Sequence, residues 1–162
     1  MIDGKRPHIS YSQLNLYANC GEAYRRRYIE REIIPPGVAM LRGGAVHVAA
    51  EINHRQKLGS GQDLPVTDLQ DAAATTFDLR VSAGYWLAPE EVARGASAVL
   101  GEAKDRAVLL TGVYASHVAP AITPDLVEES VTIPLRRAEA DILAILDVTT
   151  TDRRVKDLKT AN

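Results

Sequence analysis

The chain has 162 residues, of which 46% are hydrophobic and 25% are charged, and its formal net charge at pH 7 is −2. These values are typical of one soluble globular domain with a sizeable core, which we expect over residues 1–162 and in the cytoplasm. The sequence has no apolar run long enough to span a membrane and no signal-peptide pattern, and its single cysteine excludes an internal disulfide.

The first two thirds of the chain have the pattern of helices. Ser12 is a plausible N-cap for a first helix that ends at Asn19, with Leu14 and Tyr17 on its inner face. The helix breaker Gly21 then bends the chain. Further helices are predicted over residues 21–28, 40–57, 66–82 and 89–117, separated by a proline-rich connector at 33–37 and a loop at 58–62.

From Leu126 onward the pattern becomes alternating and β-branched, which predicts strands near 126–135, 140–149 and 154–160. Charge is also unevenly distributed along the chain. Residues 1–60 hold 9 basic and 5 acidic residues, residues 61–130 hold 4 and 11, and residues 131–162 hold 6 and 5. We therefore interpret residues 58–120 as an acidic helical insert within the domain.

Two acids and a lysine in the last strands are the strongest functional signal. Asp147 stands in an otherwise apolar run, where a carboxylate costs several kcal/mol unless its charge is compensated, for example by a divalent cation. Asp157 and Lys159 are two residues apart, so on a strand they point to the same face. Such a set suits metal-assisted phosphodiester cleavage, because carboxylates hold a hard cation and the lysine orients and helps deprotonate a water.

This chemistry also predicts the strand register. To share a metal across antiparallel strands, Asp147 and Asp157 must lie opposite each other or be offset by two residues. Direct opposition pairs Thr150 with Arg154 and leaves 151–153 as the loop. A two-residue hairpin would send the two carboxylates to opposite faces. We therefore predict an odd-length connection or a bulge, although two-residue turns are commoner.

Three other motifs precede these strands. The first is a serine-rich helix start followed by Cys20 and two tyrosines, the second is Gly43-Gly44-Ala-Val-His47, and the third is the acidic strand start Glu128-Glu129. In this order, and followed by Asp147 and Asp157-Leu-Lys159, they resemble the PD-(D/E)XK nuclease superfamily, in particular its RecB-type exonuclease branch. The first motif comprises Ser10, Ser12, Leu14, Tyr17, Cys20, Tyr24 and Tyr28.

The resemblance implies an α/β fold with a restriction-endonuclease-like core, in which a helical N-terminal half precedes a short, mainly antiparallel sheet. Members of that branch continue with a Q-x-x-x-Y helix and further strands. Since this sequence stops at Asn162, we expect the fold to be incomplete at its C-terminus.

The resemblance also implies the roles of the site residues. Asp147, Asp157 and His47 would hold Mg²⁺ or Mn²⁺, with the carbonyl of Leu158 as a further ligand, and Lys159 would be catalytic together with the two acids. His47 alone would more often be a structural residue. Glu51 shares the helix face of His47 and is a candidate for supporting the ligands, with a plain surface acid as the alternative.

The segment 24–31 near the N-terminus has two competing interpretations. Its arginines and tyrosines could contact phosphates and stack on bases, or the arginines could form a solvated face with the tyrosines in the core. These residues are Arg25, Arg26, Arg27 and Arg31, interleaved with Tyr24 and Tyr28.

Some RecB-type nucleases bind an iron–sulfur cluster, which needs four cysteine thiolates. Cys20 is the single cysteine here, so a cluster is not expected unless a longer parent chain supplies three more. We expect Cys20 to be a small buried side chain.

The function implied by the resemblance is metal-dependent DNA hydrolysis, exonuclease-like, in DNA repair or recombination. Its partner would be single- or double-stranded DNA, and no membrane partner is expected. The main alternative is a catalytically inactive module of the nuclease fold that binds DNA or scaffolds a complex. A third interpretation is a helical interaction domain in which the D-x-K motif occurs by chance. The sequence identifies no helicase or recombination partner.

Overall fold

The computed structural model describes residues 7–160, and the chain divides into two compact units. The first unit contains the residues up to Ile34 together with Glu128–Leu146, and the second contains Pro35–Val127 together with the residues from Asp147 onward. Residues 1–6 and 161–162 of the domain predicted over 1–162 lie outside the described residues. The elements in chain order are β1 (His8–Ser10), α1 (Tyr11–Asn19), α2 (Gly21–Tyr24), a π-helical turn (Arg25–Ile29), α3 (Val38–Ser60), α4 (Val66–Ser82), α5 (Pro89–Arg94), α6 (Ala96–His117), a 3₁₀ turn (Ala119–Ala121), β2 (Pro124–Ile133), β3 (Asp141–Thr150) and β4 (Val155–Lys156).

The core of the second unit lies between α3, α4 and α6. Leu41 and Val46 of α3 pack in one buried cluster with Phe77 of α4 and with small residues of α6 such as Ala103 and Ala107. Small side chains let the helices approach closely, and each large apolar side chain buried there contributes about 1.5–3 kcal/mol. The face of α3 formed by Val46, Ala49, Ala50 and Asn53 is buried throughout.

The helix predicted over 89–117 is two helices. Gly95 separates them with φ 90° and ψ 130°, a conformation that glycine adopts far more readily than other residues. The loop predicted at 58–62 begins later than expected, because α3 continues to Ser60 and ends at the left-handed Gly61. Within the described residues, no helix is both long enough and apolar enough to cross a membrane.

The N-cap of α1 is Ser10, and the prediction of Ser12 was wrong. The Ser10 hydroxyl accepts a hydrogen bond from the Gln13 amide at 3.3 Å, and the Gln13 side chain accepts one from the Ser10 amide at 2.6 Å. Ser10 is the N-cap because the glutamine three residues later completes a capping box, whereas the residue three positions after Ser12 is Asn15.

Helices α1 and α2 and the π-helical turn contain no buried residue. Leu14 and Tyr17, which we expected on an inner face, are exposed. Helical spacing identifies an apolar stripe but does not determine whether another element covers it.

The sheet is small and follows a helical first half, as predicted. Within it β3 lies between β1 and β2, and β4 also pairs with β3. In the first unit, β1 pairs with the start of β3 in parallel, His8 opposite Asp141, and this short strand was not predicted. In the second unit, the end of β3 pairs with β4 in the antiparallel direction.

Candidate active site

The connection between β3 and β4 confirms the predicted register. The Thr150 amide donates to the Arg154 carbonyl at 2.9 Å, which leaves residues 151–153 as a three-residue loop. Arg153 closes the loop with φ 63°, the left-handed conformation expected in hairpin loops of this length. The odd-length connection predicted from the metal chemistry is therefore present.

This register brings the D-x-K segment to Asp147. Val148 is paired with Lys156, so one further step along the same register sets Asp157 opposite Asp147. The Leu158 amide also donates a hydrogen bond of 2.9 Å to Oδ2 of Asp147. A hydrogen bond therefore connects Asp147 directly to the segment that contains Asp157 and Lys159.

Leu158 anchors this segment to the core of the second unit. Its side chain packs against both apolar clusters of the helices, one around Phe77 and one formed by Ala50, Tyr114 and Ala119. In an extended chain, neighbouring side chains alternate in direction. Burying Leu158 therefore turns its two neighbours outward, and both are exposed.

Asp157 and Lys159 form an ion pair. Lys159 Nζ lies 2.9 Å from Oδ1 and also 2.9 Å from Oδ2 of Asp157. This hydrogen bond is the main cause that lowers the pKa of Asp157, and Asp147 and His47 lower it further. The same bond raises the pKa of Lys159. Lys159 is therefore held protonated, which suits it to orient water or phosphate and to offset negative charge.

His47 on α3 lies beside the first acid, with Nδ1 3.5 Å from Oδ2 of Asp147. One turn further along the helix, the Glu51 carboxylate accepts a hydrogen bond of 2.7 Å from Nε of Arg55. The structure thus brings His47 to the two acids, while the charge of Glu51 is balanced by Arg55.

Two glycines of α3 border the site. A groove of about 560 Å³ runs between this helix and the end of the described chain, with His47 in its wall. A Cβ on Gly43 would lie 3.0 Å from Oγ1 of Thr160, and a Cβ on Gly44 would lie 2.5 Å from Nη1 of Arg80. The glycines therefore let the chain beyond the D-x-K motif and a guanidinium of α4 lie against α3. No local pattern identifies Thr160 or Arg80, because their contacts with α3 arise only when segments distant in sequence pack together.

The donors fit a hard divalent cation by their chemistry. Oxygen atoms of Asp147 and Asp157 are the ligands that Mg²⁺ and Mn²⁺ prefer, and the Leu158 carbonyl adds a third of the same type. Among residues 7–160, however, no group of three or more His, Cys, Asp and Glu side chains stands ready to hold a metal ion. Since Lys159 contacts both carboxylate oxygens of Asp157, a cation bound by Asp157 has to compete with this ammonium group.

The residues predicted to contact DNA lie in the first unit. Arg25 pairs with Glu22 at 2.8 Å and also with Glu30, and Arg26 pairs with Glu22 at 3.1 Å. The hydrogen bond from Arg25, and to a smaller extent that from Arg26, lowers the pKa of Glu22 to about 2. Arg31 ends the segment with φ 58°. Tyr24 and Tyr28 belong to elements without any buried residue, so they are not core residues.

Cys20 is exposed, and the prediction that it is buried was wrong. Its sulfur accepts a hydrogen bond of 3.4 Å from the Ala23 amide and so caps the N-terminus of α2. A cap lies at a helix end, where the side chain must reach backbone groups that face solvent, and this accounts for the exposure.

Comparison with known proteins agrees with this geometry. Residues 8–162 match the model of the PD-(D/E)XK nuclease superfamily, whose members typically hydrolyse phosphodiester bonds of nucleic acids and generally use divalent metal ions, commonly Mg²⁺. No curated protein and no solved structure gives a significant match. The family match extends over nearly the whole chain and includes the two acids, the lysine and the glycine–histidine motif. The chain therefore belongs to the PD-(D/E)XK nuclease superfamily.

Proposed function

We propose that this protein is a metal-dependent deoxyribonuclease of the RecB type, with an exonuclease-like role in DNA repair or recombination in the cytoplasm. The observation that supports the proposal is the hydrogen bond between Asp147 and the segment that contains Asp157 and Lys159. The Leu158 amide donates to Asp147 while the adjacent Asp157 and Lys159 both face outward from the core. Chance D-x-K sequences have no reason to lie in register with a second acid.

In this proposal Asp147, Asp157 and the Leu158 carbonyl hold Mg²⁺ or Mn²⁺, with His47 beside Asp147 as a further ligand. The bound cation would lower the pKa of a water molecule and polarise the scissile phosphate. Lys159, held protonated, donates hydrogen bonds to the water or the phosphate and offsets charge that develops in the transition state.

Anchoring of Leu158 in the helical core fixes the positions of its neighbours. Such fixation matters because a displacement of about 1 Å can cost roughly a hundredfold in rate. Arg25, Arg26, Arg31, Tyr24 and Tyr28 are the proposed contacts to DNA.

A second candidate function is a catalytically inactive nuclease-fold module that binds DNA or scaffolds a complex. The Asp157–Lys159 ion pair favours it, because the two charges neutralise each other at 2.9 Å without a metal ion. The two functions differ in whether Asp157 binds a metal ion in preference to Lys159.

Metal titration and cleavage separate the two. We expect Asp157→Ala to weaken Mn²⁺ binding strongly in calorimetry, because a carboxylate ligand is lost. Lys159→Ala should leave Mn²⁺ affinity intact or raise it, since a competing cation is removed, while cleavage of linear DNA falls about 10²–10³-fold. Lys156→Ala, a lysine of β4 outside the motif, is the matched control and should cut at the wild-type rate.

Equal Mn²⁺ binding by wild type and Asp157→Ala would refute the metal site. Absence of Mn²⁺ binding by the wild type, together with no cleavage of single- or double-stranded DNA, would favour the inactive module. Cleavage by Lys159→Ala at the wild-type rate would show that Lys159 is not catalytic.

A further inference from the structure

Three tyrosines of the first unit form a continuous row of ring contacts. The ring centroids of Tyr17 and Tyr24 are 5.3 Å apart, and those of Tyr24 and Tyr28 are 5.2 Å apart. Tyr17 is 64% exposed, whereas Tyr24 and Tyr28 are half-buried. We call these three residues the tyrosine row. Because the row keeps contact with solvent and is not enclosed in a core, its aromatic surface is accessible to a binding partner.

Three arginines lie beside the tyrosine row, and they differ in whether a carboxylate neutralises their charge. Arg25 and Arg26 are neutralised by Glu22 and Glu30. Arg27 instead lies over the Tyr28 ring, 5.7 Å from its centroid. In the part of the chain that the structure describes, no carboxylate comes within ion-pair distance of Arg27. Among residues 25–27, Arg27 is therefore the arginine that can bind a phosphate without first releasing a carboxylate.

The angles between the rings identify which nucleic acid fits. Tyr17 and Tyr24 are inclined by 78°, and Tyr24 and Tyr28 by 41°. Bases in a duplex are parallel and already stacked on one another, so they cannot lie on rings with such different orientations. A single strand can turn each base separately and stack it on an aromatic side chain.

We propose that the tyrosine row and Arg27 form a stacking site for single-stranded nucleic acid. The inference rests on the proposed nuclease function and gives it a substrate class, since the site favours an unpaired strand over a duplex. The π-helical turn Arg25–Ile29, which carries Arg27 and Tyr28, agrees with this assignment, because such turns are rare and occur frequently at functional sites.

The test is fluorescence anisotropy in EDTA, so that binding is measured without cleavage. The probes are a labelled oligothymidylate, an oligouridylate of the same length and a duplex hairpin. We expect the single strands to bind more tightly than the hairpin, and Tyr17→Ala or Tyr28→Ala to weaken single-strand binding about tenfold each. Tyr11→Ala is the matched control, because Tyr11 is an exposed tyrosine of the same unit outside the row.

Conservative variants separate stacking from folding. Tyr17→Phe keeps the ring and should bind like wild type, whereas Tyr24→Leu keeps an apolar side chain and should still lose about tenfold in affinity. Arg27→Ala should reduce the salt dependence of binding by about one phosphate contact. Tighter binding of oligouridylate than of oligothymidylate would assign the site to RNA and the reverse order to DNA, and either order supports an unpaired strand.

Equal affinity for hairpin and single strand would overturn the proposal, and so would equal effects of Tyr17→Ala and Tyr11→Ala. Both results leave the nuclease function untouched, because that function is tested by cleavage and by Asp157→Ala. Conversely, tyrosine-dependent binding of single strands by a protein that never cleaves would retain this site and reject the nuclease.

Discussion

The two units of the molecule differ in how completely they cover their side chains. In the second unit Leu41 and Leu69 have no exposed surface and Phe77 has 1% exposed. In the first unit the helices α1 and α2 contain no buried residue, and Ile33 is 94% exposed. One unit is built around a packed core, and the other presents its apolar and aromatic side chains to solvent.

This difference corresponds to the two tasks proposed for the chain. Phosphodiester cleavage depends on exact placement, and the residues proposed for it are held through Leu158 to the packed core. Binding a flexible strand needs accessible rings and tolerates small displacements. The tyrosine row meets this need with one exposed ring, Tyr17, and two half-buried rings, Tyr24 and Tyr28.

The largest expected effect is on the free energy of unfolding. It is tested by comparing one core residue of the second unit with one apolar residue of the first. Phe77→Ala should lower the free energy of unfolding by about 3–5 kcal/mol, because it removes contacts and leaves a cavity among α3, α4 and α6. Leu14→Ala, at a position that is 44% exposed, should cost less than about 1 kcal/mol. Urea denaturation of both variants measures this. Similar losses for the two would show that Leu14 is covered in solution.

The register of the last two strands was predictable because chemistry constrained it. A shared metal requires Asp147 and Asp157 on one face, and that requirement selected a three-residue loop over the commoner hairpin. The helix predicted over 40–57 is present as α3, since apolar spacing follows the helix period.

Other features were not predictable because they depend on contacts between distant residues. The three-residue strand β1 is too short to have a pattern, and its pairing with β3 crosses more than a hundred residues of sequence. The N-cap, by contrast, could have been predicted, because Gln13 completes a capping box with Ser10 and no glutamate or glutamine stands three residues after Ser12. The contact of Arg80 with Gly44 follows from the packing of two helices and leaves no local signal.

A smaller effect concerns pH and the core of the second unit. Nε2 of the buried His54 is hydrogen-bonded to the Tyr114 hydroxyl, and among the described residues Nδ1 has no hydrogen-bond partner. Burial, more than the nearby Lys57, lowers the pKa of His54 below its ordinary value of 6.5. In the unfolded chain His54 takes up a proton near pH 6.5, whereas in the folded protein it stays neutral to lower pH. Unfolding is therefore favoured as the pH falls below about 6.5, by at most about 1.4 kcal/mol per pH unit, until the folded pKa is reached.

Denaturant titrations between pH 7.5 and about pH 5 should reveal this loss of stability. His54→Gln should flatten the profile. The Asp63 carboxyl, whose pKa is lowered by Lys57 and Asn53 against the opposing effect of burial, loses its contribution only as the pH falls below its ordinary value of 3.8. Asp63 therefore does not interfere in this range. An unchanged slope in His54→Gln would contradict the assignment.

The smallest expected effect is confined to the first unit and tests the corrected N-cap. Ser10→Ala removes the hydroxyl that accepts from the Gln13 amide, so α1 should lose about 1 kcal/mol of local stability. Ser12→Ala is a close control, because the Ser12 side chain makes only an exposed contact of 2.8 Å with the Ser10 hydroxyl. Hydrogen exchange resolved by peptide should show faster exchange in α1 for Ser10→Ala, little change for Ser12→Ala, and no change in α3 for either variant. If Ser12→Ala accelerates exchange in α1 as much as Ser10→Ala does, the capping box is not what holds the start of this helix. Faster exchange in α3 as well would show that the packed core of the second unit depends on α1, and the contrast between the two units would then fail.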